Sequence, residues 1–134
     1  MKKILAIEDN AIVVRILQQH MKNADFSTAA HPAESVTRAM EVKPDLILLD
    51  LMLPERGGME ILHDLKQNPV TKDIPVVILS ALGSEEDIES AKKQGAVDYI
   101  VKGMDSIDVV TAKISKLIGT EVTTKIPPRK LLEK

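Results

Sequence analysis

ILAIEDN at residues 4–10 and DLILLDLMLP at residues 45–54 decide the fold. Each is a short apolar run, rich in Ile and Leu, that ends abruptly on acid. Glu8 and Asp9 close the first run and Asp50 closes the second. Runs of this length bounded by polar or turn-forming residues read as buried strands. Helical patterns lie between them on each side of a weaker candidate strand, as a βαβ series with parallel strands requires. Parallel strands point their C-terminal ends the same way, so the three carboxylates are expected at one edge of one sheet. Ligands of open α/β sheets bind at that edge. Crowded carboxylates repel unless a cation or a proton joins them, and the pattern therefore proposes a divalent metal site.

Working outward, the first strand is predicted over 3–8 and a helix over about 10–23, with Ile12, Val13, Ile16, Leu17 and Met21 as its apolar stripe. A weak second strand falls around Phe26–Ala30. Pro32 suits the first turn of the next helix, which turns Val36, Ala39 and Met40 inward. The third strand is Asp45–Leu49. Pro54 and Gly57-Gly58 break regular structure before a helix through Met59, Leu62 and Leu65 to about Gln67. VVILS at 76–80 is the fourth strand. Ser84 is an N-cap with Glu85, Glu86 and Asp87 in the first turn, where the helix dipole favours acid. That helix should stop before Gly95. VDYIV at 97–101 is the fifth strand, and a last helix runs from Asp105 or Ser106 to Ile118, ended by Gly119, with Ile107, Val110, Ile114, Leu117 and Ile118 inward.

Composition narrows the function classes. The 134 residues suit one domain. Phe26 and Tyr99 are the only aromatic side chains, so the core must be aliphatic and Tyr99 needs a reason. With no Cys, disulfides and thiolate metal sites are excluded. No apolar stretch reaches the roughly 18 residues of a membrane span, and the N-terminus enters a strand without a signal-peptide layout; the expected location is cytoplasmic. Residues 1–118 carry a charge of −4 and residues 119–134 one of +2. The tail TEVTTKIPPRKLLEK is expected to be a flexible end, a linker or, less simply, an arm for a partner.

The order Glu8-Asp9, Asp50 in LLDLMLP followed by Gly57-Gly58, Ser80-Ala81 closing the fourth strand, and Tyr99 and Lys102 in the fifth resembles the receiver domain of two-component response regulators. The resemblance runs from Lys2 to about Ile118, giving a receiver domain over 1–118 and a tail over 119–134. It implies an α/β fold: a doubly wound, five-stranded parallel sheet in the flavodoxin-like order 2-1-3-4-5, with helices on both faces. It implies further that Asp50 is the phosphoacceptor and forms an acyl phosphate. Glu8, Asp9, Asp50 and the backbone carbonyl of Met52 would hold Mg²⁺, a hard cation suited to oxygen ligands. Ser80, Ala81 and Lys102 would receive the phosphoryl group. Ser80 and Tyr99 would form the switch, Tyr99 turning inward as Ser80 moves toward the phosphoryl group. The implied partners are a histidine kinase or phosphotransfer protein and a downstream protein or effector domain, with homodimerisation open. Such a chain is a signalling switch rather than a conventional enzyme. No DNA-binding helix-turn-helix is expected in these residues.

Simpler readings exist for single residues: Asp50 as a cap, Ser80 as a turn residue, Tyr99 as a half-buried strand aromatic, Lys102 as an edge charge. HDLKQNP at 63–69 resembles the phosphoacceptor-histidine motif of sensor kinases, but a short helix between two strands is the wrong setting for it. The pattern departs from the family at Lys102-Gly103, where receivers usually have Lys-Pro, commonly across a cis bond. A cis bond before a non-proline residue costs about 2.5–4 kcal/mol, so a trans bond and a reshaped loop are expected. Met52 and Leu82, two residues beyond Asp50 and Ser80, are bulky and apolar and should slow hydrolytic loss of a phosphoryl group. The competing function is a constitutive interaction module, a receiver fold that no longer depends on phosphorylation. Phosphotransfer to an external substrate is disfavoured because the chain has no second acid two residues after Asp50. Flavin binding is disfavoured because acids, not small hydroxyl residues, follow the first strand.

Overall fold

A computed structural model describes residues 2–29, 31–53 and 57–119. In chain order the elements are β1 (Lys2–Ile7), α1 (Ala11–His20), β2 (Ala24–Thr28), a 3₁₀ turn (Pro32–Glu34), α2 (Ser35–Val42), β3 (Leu46–Leu49), α3 (Gly58–Gln67), β4 (Val76–Ser80), α4 (Glu85–Lys93), β5 (Asp98–Val101) and α5 (Ile107–Ile118). All strand pairs are parallel, and the sheet order is β2-β1-β3-β4-β5. This is the doubly wound α/β architecture expected from the sequence. The tail at 120–134 lies outside the described residues.

The central strands are apolar over Ile4–Ile7, Leu46–Leu49 and Val76–Leu79 because both sheet faces are covered there. Leu5, Ile7, Ile47, Leu49 and Ile78 point to one face, where Ala39 of α2, Ile61, Leu62 and Leu65 of α3 and Ala91 of α4 meet them. Ile4, Ala6, Leu46, Leu48, Val77 and Leu79 point to the other, against Val14 and Leu17 of α1 and Val110, Ile114 and Ile118 of α5. Alternation along a strand therefore sorts neighbouring residues into two separate cores.

Three helix starts share one device. The side chains of Asn10, Ser84 and Ser106 accept hydrogen bonds from the backbone N–H groups of Ile12, Asp87 and Val109, satisfying donors that a helix start leaves unpaired. The α3 start is pinned differently. Gly58 N–H donates to the Leu51 carbonyl at 3.0 Å, and a Cβ on Gly58 would collide with Leu51 Cα and the Asp50 carbonyl oxygen. Only glycine lets α3 approach the end of β3 this closely.

Two segments differ from the sequence reading. Helix α1 ends at His20, about a turn early, so β2 begins at Ala24 and pairs Ala24–Thr28 with Lys2–Ala6. The α1 stripe is also rotated. Val14, Leu17 and Met21 are buried, whereas Ile12 is 65% exposed and Ile16 is exposed. Met40 of α2 and Leu117 of α5 likewise face outward. Among the described residues no helix is long and apolar enough to cross a membrane.

Candidate functional site

Parallel strands deliver four polar side chains of three chemical kinds to the C-terminal edge of the sheet. Glu8 follows β1, Asp50 follows β3, Ser80 is the last residue of β4, and Lys102 follows β5. The backbone ladders hold these ends in register: Asp50 N–H donates to the Ile7 carbonyl at 3.1 Å and Lys102 N–H to the Ser80 carbonyl at 2.8 Å. Glu8 and Asp50 are buried and Asp9 is exposed. One oxygen from each of these three carboxylates lies within 4.8 Å of the others, an arrangement that could hold a metal ion.

The carboxylates are partly tied to backbone. Glu8 Oε2 accepts from Asn10 N–H at 3.1 Å and Asp50 Oδ1 from Met52 N–H at 2.9 Å. Their other oxygens face Lys102. Its Nζ donates to Asp50 Oδ2 at 3.1 Å and sits 2.8 Å from Glu8 Oε1. The second contact is an ion pair with a single ammonium, which leaves Glu8 Oε1 a buried oxygen with coordination capacity to spare. Such an oxygen, beside two more carboxylates, fits a hard divalent cation.

Electrostatics follow from this crowding. Burial pushes the Glu8 carboxyl above its ordinary pKa, and the Asp50 charge adds to the rise; the Lys102 and Asn10 contacts oppose it without cancelling it. Burial acts on Lys102 to lower its pKa, but the Glu8 and Asp50 carboxylates together outweigh that and hold the ammonium above the ordinary lysine value. Lys102 is thus a fixed positive charge at the mouth of an acidic pocket.

Ser80 is fully buried, and its Oγ accepts from Leu82 N–H at 3.2 Å. Tyr99 is already turned inward at 6% exposure, and its hydroxyl donates to the Leu82 carbonyl at 2.5 Å. Burial foremost, then the charge of Asp87, raises the Tyr99 pKa and keeps the phenol protonated as a donor. Ala81 is exposed, as is the Met52 side chain. The exposed His63 stands on α3, outside this cluster.

Sequence reasoning missed Asn10 and Asp105 as participants and read only the side chain of Leu82. Asn10 caps α1 and also ties down Glu8; an Asn before an apolar helical run is a legible cap signature. Leu82 links Ser80 to Tyr99 through backbone atoms alone, which no side-chain pattern reveals. Asp105 Oδ2 accepts from Val101 N–H at 3.3 Å, closing the loop after β5. Within that loop the Lys102–Gly103 bond is trans and Gly103 has φ +84°. A proline, locked near −65°, cannot take that conformation, so the departure from Lys-Pro is a different loop and not a vacant version of the same one.

Residues 4–114 match the model of the response regulator receiver domain. The phosphate regulon transcriptional regulatory protein PhoB of Escherichia coli (strain K12) is 38% identical over 117 residues, which cover 81% of this chain and 48% of PhoB. The chain spans about half the length of the curated relatives it matches. The phosphorylated cyanobacterial phytochrome response regulator RcpA superposes with a TM-score of 0.77 at 29% identity, covering 92% of this chain and 99% of RcpA. The Mn²⁺-bound response regulator Rcp1 gives 0.76 at 27% identity, with 95% and 99% covered. With the sheet order, the acidic edge and the family match in agreement, this chain belongs to the response regulator receiver domains of two-component systems.

Proposed function

We propose that this receiver is a phosphorylation-dependent switch that accepts a phosphoryl group on Asp50 from a phosphohistidine donor. The observation that carries the proposal is the convergence of Glu8, Asp9, Asp50 and Lys102, with Lys102 Nζ 3.1 Å from Asp50 Oδ2. A carboxylate oxygen of Asp50 attacks phosphorus, the bond from phosphorus to the donor breaks, and the donor leaves with the electron pair. The product is an acyl phosphate. Lys102 balances the charge of the incoming phosphoryl oxygens from its position beside Asp50. The Met52 N–H holds the other Asp50 oxygen and so orients the nucleophile.

Glu8, Asp9, Asp50 and the Met52 carbonyl are the groups that would hold Mg²⁺. When bound, the cation would neutralise carboxylate and phosphoryl charge that Lys102 cannot balance alone. The three carboxylates and the under-used Glu8 Oε1 support this ligand set. A Mn²⁺-bound relative is consistent with it.

A phosphoryl group adds roughly two negative charges and strong acceptor oxygens. Ser80 would turn its hydroxyl toward them, with Ala81 leaving room. The link from Leu82 N–H to Ser80 Oγ, and from the Tyr99 hydroxyl to the Leu82 carbonyl, supports a concerted response: a Ser80 hydroxyl that turns away releases the N–H of the residue that holds Tyr99. The partners we propose are a histidine kinase or phosphotransfer protein upstream and a protein or effector domain downstream, in the cytoplasm. We take residues 1–118 as the receiver and 119–134 as a tail or linker.

Intact mass after incubation with acetyl phosphate and Mg²⁺ tests the assignment. One added phosphoryl group is expected, absent in Asp50→Ala and without Mg²⁺. An unlabelled native chain, under conditions that label a control receiver, would overturn the proposal in favour of a phosphorylation-independent interaction module.

A further inference from the structure

The loop from Val101 to Asp105 is closed on itself more tightly than a connector needs. Val101 uses both backbone groups within it: its carbonyl accepts from Met104 N–H and Asp105 N–H, each at 3.2 Å, and its N–H donates to Asp105 Oδ2 at 3.3 Å. Val101 is the last residue of β5, an edge strand, where one side of the backbone has no neighbouring strand among the described residues. The Asp105 carboxylate takes the place of that missing partner. Lys102 stands between the two anchors. Its own N–H is held by the Ser80 carbonyl on β4, and the residue after it, Gly103, reverses the chain at φ +84°. The Lys102 side chain leaves this clamp toward Glu8 Oε1 and Asp50 Oδ2.

We propose that Asp105 is a positioning residue: by latching Val101 across the Gly103 turn, it fixes the direction from which Lys102 reaches Glu8 and Asp50. The effect on phosphoryl transfer rests on the Asp50 reading above, but the effect on Lys102 does not. A lysine side chain has four rotatable bonds, and without a fixed origin its ammonium spreads over many positions. Closing the loop removes that freedom at its base. Gly103 belongs to the same device. A Cβ at Gly103 meets nothing within 4 Å, so an alanine there acts through the backbone angle alone.

The test uses the whole 134-residue chain and two readouts. The first is the rate of reductive methylation at Lys102, followed by peptide mass spectrometry with Lys116 of α5 as the internal reference. Asp105→Ala is expected to speed labelling of Lys102 several-fold and to leave Lys116 unchanged. Asp105→Asn, which keeps an acceptor oxygen for Val101 N–H, is expected to restore most of the protection. Gly103→Ala should behave like Asp105→Ala. The second readout is the rate of phosphorylation by acetyl phosphate, expected to fall about tenfold in Asp105→Ala, since small misplacements of a charge-stabilising group are costly. In a Lys102→Met background that loss should vanish, because a residue that acts through Lys102 has nothing left to act on. Equal labelling of Lys102 in native chain and Asp105→Ala overturns the proposal, as does an undiminished loss in the Lys102→Met background. A native chain that accepts no phosphoryl group defeats the Asp50 reading instead, and the labelling rates still decide the role of Asp105.

Discussion

At the scale of single residues, the site keeps a buried carboxylate under stress. Glu8 is 5% exposed, and its pKa stands above the ordinary 4.5, first because of burial. A raised acid pKa means the folded chain holds that proton more tightly than the unfolded chain does. Between 4.5 and the raised folded value the native state binds more protons, so stability from this group is complete below 4.5 and is lost as pH rises through the folded pKa. Glu8→Gln removes the cost while keeping the shape. In metal-free buffer at pH 7 it should raise the unfolding free energy, and the gain over native should shrink on going to pH 4. Urea melts at the two pH values check this; a less stable Glu8→Gln chain at pH 7 would mean that the Lys102 contact outweighs burial. Among the site residues, Glu8, Asp9, Asp50 and Lys102 were legible in the sequence because each sits where a strand ends, and parallel topology sends all such ends to one edge. The roles of Leu82 and Asp105 were not. One works through its backbone and the other through a contact four residues back, and neither leaves a periodic or compositional trace.

At the scale of elements, strands were read more securely than helix faces. A four- or five-residue apolar run such as LILL or VVILS is buried on both sides, so no choice of face is needed. Helix α1 carries AIVVRIL, where apolar residues adjoin one another and three- and four-residue spacing fits two stripes equally well. Packing against α5 and the sheet selects Val14, Leu17 and Met21. Consequently Leu17→Ala should cost about 2–5 kcal/mol, as expected for a large side chain lost from a filled core. Ile12→Ala should change stability by no more than about 0.5 kcal/mol, because Ile12 is 65% exposed. Chemical denaturation of the two variants separates the stripes; equal losses would place Ile12 in the core after all. The β2 boundary was misread for a related reason. ADFST is an edge strand with only Ala24 buried, and a half-wet strand has little hydrophobic signal to mark its start.

At the scale of the whole molecule, the acidic edge lies at the C-terminal end of the sheet that separates the two cores. Glu8 extends β1, Asp50 extends β3 and Lys102 extends β5, so the ion pairs of Lys102 join strands that do not all pair directly. A divalent cation held by Glu8, Asp9 and Asp50 would add a second clamp between β1 and β3. It would bind the folded chain and not the unfolded one, since residues 8 and 50 come together only through the sheet. Ligation restricted to the native state stabilises by roughly 2.7 kcal/mol at a hundredfold excess over Kd. For a domain of this size that corresponds to a rise in Tm of several degrees. Thermal melts with Mg²⁺ should therefore shift upward with concentration and saturate in the native chain. The shift should be lost in Asp50→Ala and in Asp9→Asn, which sits at the exposed lip of the pocket and can be changed without opening the core. Both variants need comparison at constant ionic strength, because general screening acts on every surface charge and would move all three melts alike. A shift of equal size in all three proteins would assign the effect to screening and remove the acidic edge as a cation site.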